Sequence, residues 1–290
     1  MPLDRRRATD ALLLVISIAA VSTSAPLVRE AAVPALMIAF WRTALAAAVT
    51  APFAFRQRTK LTANERRLTA VAGIVLAGHF ATWISSLSYT SVASAVTLVS
   101  TQPVWAALFS PRRVNRRVWL GIAVAMAGAV AVAGVDLSTS GRALFGDVLA
   151  LAGGVLAGLY VTLGAEVRRS LPTAAYTARC YGVAAIALLA AARIGRVDVV
   201  PSSSATWGWL VAITIGPQLL GHTLINAVLQ RLDAVLVSVS ILFEIVGASF
   251  LAWWWFGEAP PAAIYPAAAL LAAGVLLVMS GGRRLAPAVD

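Results

Sequence analysis

Residues 234–256 read AVLVSVSILFEIVGASFLAWWWF, a run of 23 residues with a single charge, Glu244. A helix needs about 20 mainly apolar residues to cross the hydrocarbon of a bilayer, and this stretch supplies them. Its aromatic end, Trp253 to Trp255, suits the headgroup level, where indole rings collect. Strands of a membrane barrel would be shorter and would alternate with period two, and the run does neither.

The same reading extends outward to nine more runs: 11–28, 34–55, 68–88, 92–110, 118–135, 147–166, 174–194, 206–228 and 262–280. Hydrophobic residues make up 60% of the 290 and charged residues 12%, about half the charged share of a soluble domain. Lipid is therefore the expected solvent. The links are short, the longest polar ones being 56–67 and 195–205, and leave no room for a soluble domain.

The net charge of +11 would suggest nucleic acid on a soluble protein. Here 17 of the 23 basic residues cluster at Arg5–Arg7, Arg56–Arg67, Arg112–Arg117, Arg168–Arg169, Arg231 and Arg283–Arg284, all at alternate ends of the runs. The other ends carry Arg29, Arg142, Arg193 and Arg196. Cytoplasmic loops collect Lys and Arg, so both termini are expected in the cytoplasm and no nucleic acid is expected as partner. Arg5–Arg7 followed by Ala11–Val21 also resembles a secretory signal. The duplication described next argues that this segment stays as span one.

The first five runs resemble the last five. Asp10 and Asp147 open spans one and six; Arg42 and Arg179 lie in spans two and seven; Gly78-His79 matches Gly221-His222; Gly128 matches Gly274. Five is odd, so two such halves insert with opposite orientation, the inverted-repeat plan of secondary transporters with a site near the midplane. The halves are expected at 1–135 and 136–290.

At this point the sequence resembles the EamA-type proteins of the drug/metabolite transporter superfamily, and YddG-type amino-acid exporters within it. Glu244-Ile245-Val246 followed by Phe256-Gly257-Glu258 is similar to that family's Glu-Pro stretch and later Gly-Glu. Gln102-Pro103-Val104 holds the matching place in the first half, and Phe40-Trp41-Arg42 resembles the family's span-two arginine. Ile245 stands where proline is usual, and Ser110-Pro111-Arg112 where Gly-Glu is usual. The resemblance implies a cavity lined by spans one, three, four, six, eight and nine, with spans two and seven peripheral.

Ionisable groups inside a bilayer cost about 3 kcal/mol or more and call for a partner or a wet cavity. Glu244 is the foremost candidate, with Ser240 and Gly247 on its helical face. It could bind a substrate amine, carry a proton or lock two helices. His79 heads a polar and aromatic stripe with Thr82, Trp83 and Ser86. Its imidazole can donate and accept near neutral pH. His222 is placed similarly in span eight. Gln102 and Tyr160 complete the expected cavity lining. Pro103 and Pro217 each remove a helix hydrogen bond and are candidate hinges or static kinks. Arg42 and Arg179 sit a turn or two into their helices, within snorkelling reach of the interface, and are read as structural. Small residues at Gly154/Gly158 and at Gly121, Ala125 and Gly128 mark close helix contacts.

The single Cys180 excludes an intrachain disulfide and a cysteine metal site, and two histidines without acidic spacing make no metal site. No GxSxG, HExxH, P-loop or CxxC is present. The reading is an all-α integral membrane protein of ten helices in two inverted repeats around a central cavity, in a bacterial plasma membrane. It is a monomeric secondary carrier without cofactor, exporting a small polar metabolite by alternating access, amino acids first. Membrane lipid and a small-molecule substrate are its expected partners. The rivals are a carrier for a drug cation, nucleoside or sugar, and a membrane-embedded lipid enzyme.

Overall fold

The computed structural model describes residues 2–133, 140–257, 259 and 262–282. The 135/136 boundary, Glu258, Arg283 and Arg284 lie outside these residues. All regular structure among them is helical: α1 (Pro2–Ser22), α2 (Ser24–Ala31), α3 (Ala35–Gln57), α4 (Ala63–Ser86), α5 (Val92–Val99), α6 (Gln102–Phe109), α7 (Arg116–Ala133), α8 (Gly141–Val167), α9 (Thr173–Ile194), α10 (Ser204–Ile213), a π-helical segment (Thr214–Thr223), α11 (Leu224–Val228), α12 (Ala234–Ile241), α13 (Phe243–Phe256) and α14 (Ile264–Gly282).

Eight stretches of the described chain are long and apolar enough to cross a membrane: Arg6–Ala31, Ala35–Gln57, Ala63–Ser86, Gly141–Val167, Thr173–Ile194, Ser204–Val228, Ala234–Trp255 and Ile264–Gly281. The runs 92–110 and 118–135 fall short of that test. The first is broken into α5 and α6, and the second forms α7, which ends at Ala133, the last described residue before 140.

Helices α5 and α12 are matched in length and separated by 142 residues, Val92–Val99 against Ala234–Ile241. Each opens on a side-chain cap. Ser91 Oγ accepts from Ser94 N at 3.1 Å, and Asp233 Oδ1 from Val235 N at 2.9 Å. Each is followed by a break. In the first half Pro103 has no N–H to donate, and Val104 N bonds back only to Thr101 O at 2.9 Å. In the second half the break persists although Ile245 replaces proline: Leu242 N donates to Val239 O and Ile245 N to Leu242 O, both at 3.2 Å. Local three-residue turns replace the α-helical ladder at both places.

Packing repeats the same correspondence. Helix α4 lies along α8 as α1 lies along the π segment; α5 and α6 lie on α8 as α12 and α13 lie on α1. The pairs α3–α9 and α7–α14 each join counterparts. Exchanging the halves leaves this set of neighbours unchanged.

With lipid outside, close approach rather than hydrophobic exclusion holds helices together. A Cβ added to Gly158 would stand 2.6 Å from Trp105 Cβ and 2.8 Å from Ala106 N; one on Gly154 would stand 2.9 Å from Leu98 O. The GxxxG step is thus the seat of the broken α5–α6 helix. Gly121, Ala125 and Gly274 seat α7 on α14 in the same way. Several hydroxyls within the spans turn back onto their own helix: Thr43, Thr82, Thr162 and Thr214 each donate to a carbonyl four residues earlier, which satisfies these donors without water. Gly257, at φ +70°, ends α13 with its N–H on Trp253 O at 2.9 Å, a left-handed cap that glycine takes without strain.

The two ends of the bundle are tied by different chemistry. At the basic end, Arg231 Nε donates to both oxygens of Asp10, at 2.8 and 3.0 Å. These bonds hold the Arg231 guanidinium above its usual pKa. At the opposite end, Thr90 Oγ1 donates to Asp147 Oδ1 at 2.7 Å and Arg142 to Ser88 O at 2.9 Å. Each span-opening aspartate therefore bonds a link from the other half. Arg168, at the end of α8, turns inward and is fully buried, with Nε on Asn226 O at 2.8 Å and Nη2 on Thr173 Oγ1 at 2.7 Å.

Candidate functional site

Six side chains expected to line a cavity meet around one central space of about 720 Å³, its opening included: His79, Trp83, Gln102, Tyr160, His222 and Glu244. Ser24, Ser100 and Ser238 add hydroxyls to the wall. The lining comes from α1, α2, α4, α5, α6, α8, α11, α12, α13 and the π segment.

Helix α4 starts on a reciprocal cap. Thr62 Oγ1 accepts from Glu65 N at 3.2 Å, and Glu65 Oε2 accepts from Thr62 N at 2.7 Å. Five turns later it presents His79, whose Nδ1 lies 2.9 Å from Gly153 O on α8. A carbonyl only accepts, so the proton is assigned to Nδ1, and in the neutral ring Nε2 remains an acceptor. Gly153 permits this approach, since a Cβ there would stand 3.0 Å from Trp83 Cβ. Trp83 stacks on His79 with ring centroids 6.1 Å apart, and its Nε1–H has no partner among the described residues. Thr82 and Ser86 bond to their own helix instead of entering the cavity.

His222 stands between the faces of the two halves. Its ring lies 5.2 Å from Phe80, edge to face, 6.3 Å from Tyr160 and 6.4 Å from His79. Asn226, one turn further, donates Nδ2 to Tyr160 Oη at 2.7 Å and to His222 O at 2.8 Å, fixing both. Gln102 Nε2 donates to Ser238 Oγ at 3.2 Å, tying α6 to α12 beside the two helix breaks.

Glu244 lies in the first turn of α13, just after the break at Leu242. Free N–H groups and the helix dipole favour a carboxylate there. Among the described residues it has no hydrogen-bond or ion-pair partner, and it faces the cavity. The face expected for it differs. The break rotates α12 against α13, so Ser238, not Ser240, shares the cavity with Glu244. Ser240 bonds to Leu236 O and lines a separate groove. Gly247 meets Ser22 of α1.

Arg42 corrects the snorkelling expectation. It is 1% exposed, with Nε on Gln218 Oε1 at 2.8 Å and the guanidinium 4.0 Å above the Phe80 ring. Both terminal nitrogens lack partners among the described residues. Helix α3 packs between α9 and the π segment, which turns position 42 inward, behind the wall that Phe80 shares with His222. Arg179 behaves as expected, exposed and bonded to Ala175 O of its own helix at 2.8 Å. The two arginines are thus matched in sequence but not in role.

Pro103 lies at the start of α6 and Pro217 inside the π segment, both buried. The π winding is a ten-residue change of helical type rather than a simple kink. Asn226, Gln218 and Ser238 were missed by the sequence reading. The two amides inside the apolar run 206–228 were the signal for the first two. No cluster of three or more His, Cys, Asp or Glu that could hold a metal occurs among the described residues.

The sequence model of the EamA-like transporter family matches this chain twice, over residues 9–134 and 144–280. No curated protein matches significantly. Among solved structures, one crystal structure is similar over 96% of this chain and 100% of its own, with a TM-score of 0.77 and 23% identity. That likeness extends to the fold alone.

Proposed function

The chain belongs to the EamA-like transporter family of the drug/metabolite transporter superfamily, membrane transporters, and from that premise we propose that it exports small amine-bearing metabolites, amino acids first, by alternating access. In this reading it resembles the YddG-type exporters and sits as a monomer in a bacterial plasma membrane with both termini cytoplasmic. It has ten spans in two inverted halves, 1–135 and 136–290. The repeated set of helix neighbours supports the inverted plan. An apolar helix over Ser94–Phe109 and the 18 residues of α7 reach about 24 and 27 Å at 1.5 Å per residue, close to the bilayer core.

The observation that carries the substrate reading is Glu244: an unpaired carboxylate at a half-helix N-terminus, facing a cavity walled by Trp83, Tyr160, His79 and His222. An ammonium would find a counter-charge there and aromatic faces beside it. The Trp83 N–H and the second N–H of the Gln102 amide, whose first is on Ser238, are left for an acceptor oxygen. Pro103 and Pro217 act as hinges beside the site.

A second reading, a carrier of organic cations without a carboxylate, is favoured by one observation: no Lys or Arg lines this cavity among the described residues.

Counterflow in liposomes separates the two. Amino acids should exchange, and Glu244→Gln should lower that exchange roughly tenfold or more, the loss of one charge-assisted contact. If the matching decarboxylated amines exchange and amino acids do not, the cation reading replaces this one. If Glu244→Gln lowers folded yield but not flux per folded molecule, Glu244 is a structural lock and leaves the site.

A further inference from the structure

A second large space lies at the basic end of the bundle, about 1520 Å³ with its opening, between α1, the link before α7, the link before α12, and α14. It shares no lining residue with the central cavity. Its rim carries four arginines, Arg7, Arg112, Arg113 and Arg231, against two aspartates. Both aspartates are engaged, Asp10 by Arg231 and Asp233 as the cap of α12. Arg7, Arg112 and Arg113 are exposed and have no ion-pair partner among the described residues. Below this rim the wall is apolar: Leu14, Val118, Leu236, Val275 and Met279.

We propose that this groove holds one anionic phospholipid, its phosphate on Arg7, Arg112 and Arg113 and an acyl chain along the apolar wall toward α14. Charge decides the occupant. A surplus of positive charge directly above an apolar wall, at the level where spans end, matches a molecule that is anionic at one end and hydrocarbon at the other. A small polar metabolite would leave Leu236, Val275 and Met279 uncovered, and a neutral lipid would leave three guanidiniums without a counter-charge. Arginine also presents the forked donors that suit phosphate oxygens. Because Asp10 and Arg231 form part of the same rim, the lipid lies against the ion pair that ties α1 to the link before α12.

The test is native mass spectrometry of the purified full chain in detergent, titrated with phosphatidylglycerol and, separately, with phosphatidylcholine. One phosphatidylglycerol should be retained where phosphatidylcholine is lost. Arg112→Gln/Arg113→Gln should weaken it roughly thirtyfold, with thermal unfolding of the lipid-free protein unchanged. Met279→Trp, which fills the groove without altering charge, should weaken it too. Arg56→Gln/Arg58→Gln, at a basic cluster outside the groove, should leave it unchanged. Equal retention of both lipids overturns the proposal, as does a loss at Arg56/Arg58 equal to that at Arg112/Arg113, which would mean diffuse attraction. Displacement of the lipid by millimolar inorganic phosphate would assign the arginines to a free anion and overturn it as well.

Discussion

The same substitution, glycine to alanine in a spanning helix, should have opposite effects at two places in this protein. Gly182 in α9 has nothing within 4 Å of an added Cβ. There alanine simply gains helix propensity and should stabilise by about 0.5–1 kcal/mol. At Gly158 the added Cβ would stand 2.6 Å from Trp105 Cβ, 2.8 Å from Ala106 N and 2.9 Å from Gln102 O. Ordinary contact needs about 1 Å more, and two of those atoms are backbone, so α6 must move as a body. Overpacking of this kind costs about 1–3 kcal/mol, and the backbone contacts argue for the upper end. After subtracting the propensity gain, Gly158→Ala should lose about 2 kcal/mol, placing the two variants about 3 kcal/mol apart. Thermal unfolding in detergent would read this as roughly 6–12 °C between them. The displacement of α6 also stretches the 3.2 Å bond from Gln102 to Ser238, so flux per folded Gly158→Ala molecule should fall as well. A Gly158→Ala protein that melts at or above the unaltered one would refute the packing of α6 on α8.

Arg42→Lys keeps the charge but loses the planar contact over Phe80 and the Nε bond to Gln218; it should lower stability by about 1–3 kcal/mol, and an unchanged melting temperature would contradict the buried placement. Asp10→Asn removes one charge from a pair whose side chains are 10% and 43% exposed. Such a half-exposed pair is worth about 1 kcal/mol, so closure at the basic end should weaken about fivefold. The labelling rate of Ser24→Cys in the cavity should then rise, and an unaltered rate would leave the pair outside gating. Pro217→Ala should let the π segment rewind toward α-helix, carrying Gln218 off Arg42 and slowing flux at normal expression; flux equal to that of the unaltered chain would make Pro217 a passive element.

Eight of the ten expected spans, and the polar side chains that meet in the central space, were legible for one reason. In a chain that is 60% hydrophobic, every buried polar side chain is conspicuous, and a bilayer makes an unpaired one expensive enough to imply a role. Glu244, His79, His222 and Gln102 stood out on that basis, and they meet in one space. Direction was not legible on the same basis. In a soluble helix the polar face announces which side turns outward, but here both faces are apolar, and hydropathy says nothing about rotation. Arg42 and Arg179 therefore read alike, although one is buried on Phe80 and the other exposed.

What sets rotation in this protein is steric, and it resides in small residues and helix breaks. Gly153, Gly154 and Gly158 fix which side of α8 meets α4 and α6. The break at Leu242 decides that Ser238 rather than Ser240 joins Glu244. The first kind of signal is visible as GxxxG. The second is half visible, because Pro103 marks it in one half while Ile245 hides it in the other. The matched lengths of α5 and α12 indicate what carries the break when proline is absent: a capped eight-residue helix, begun by Ser91 or Asp233, that stops where the chain must turn a half-helix N-terminus toward the cavity. On that account the polar residue after each break, Gln102 or Glu244, is held in place by helix geometry common to both halves. The difference in its charge is what makes the two sides of the cavity chemically unequal.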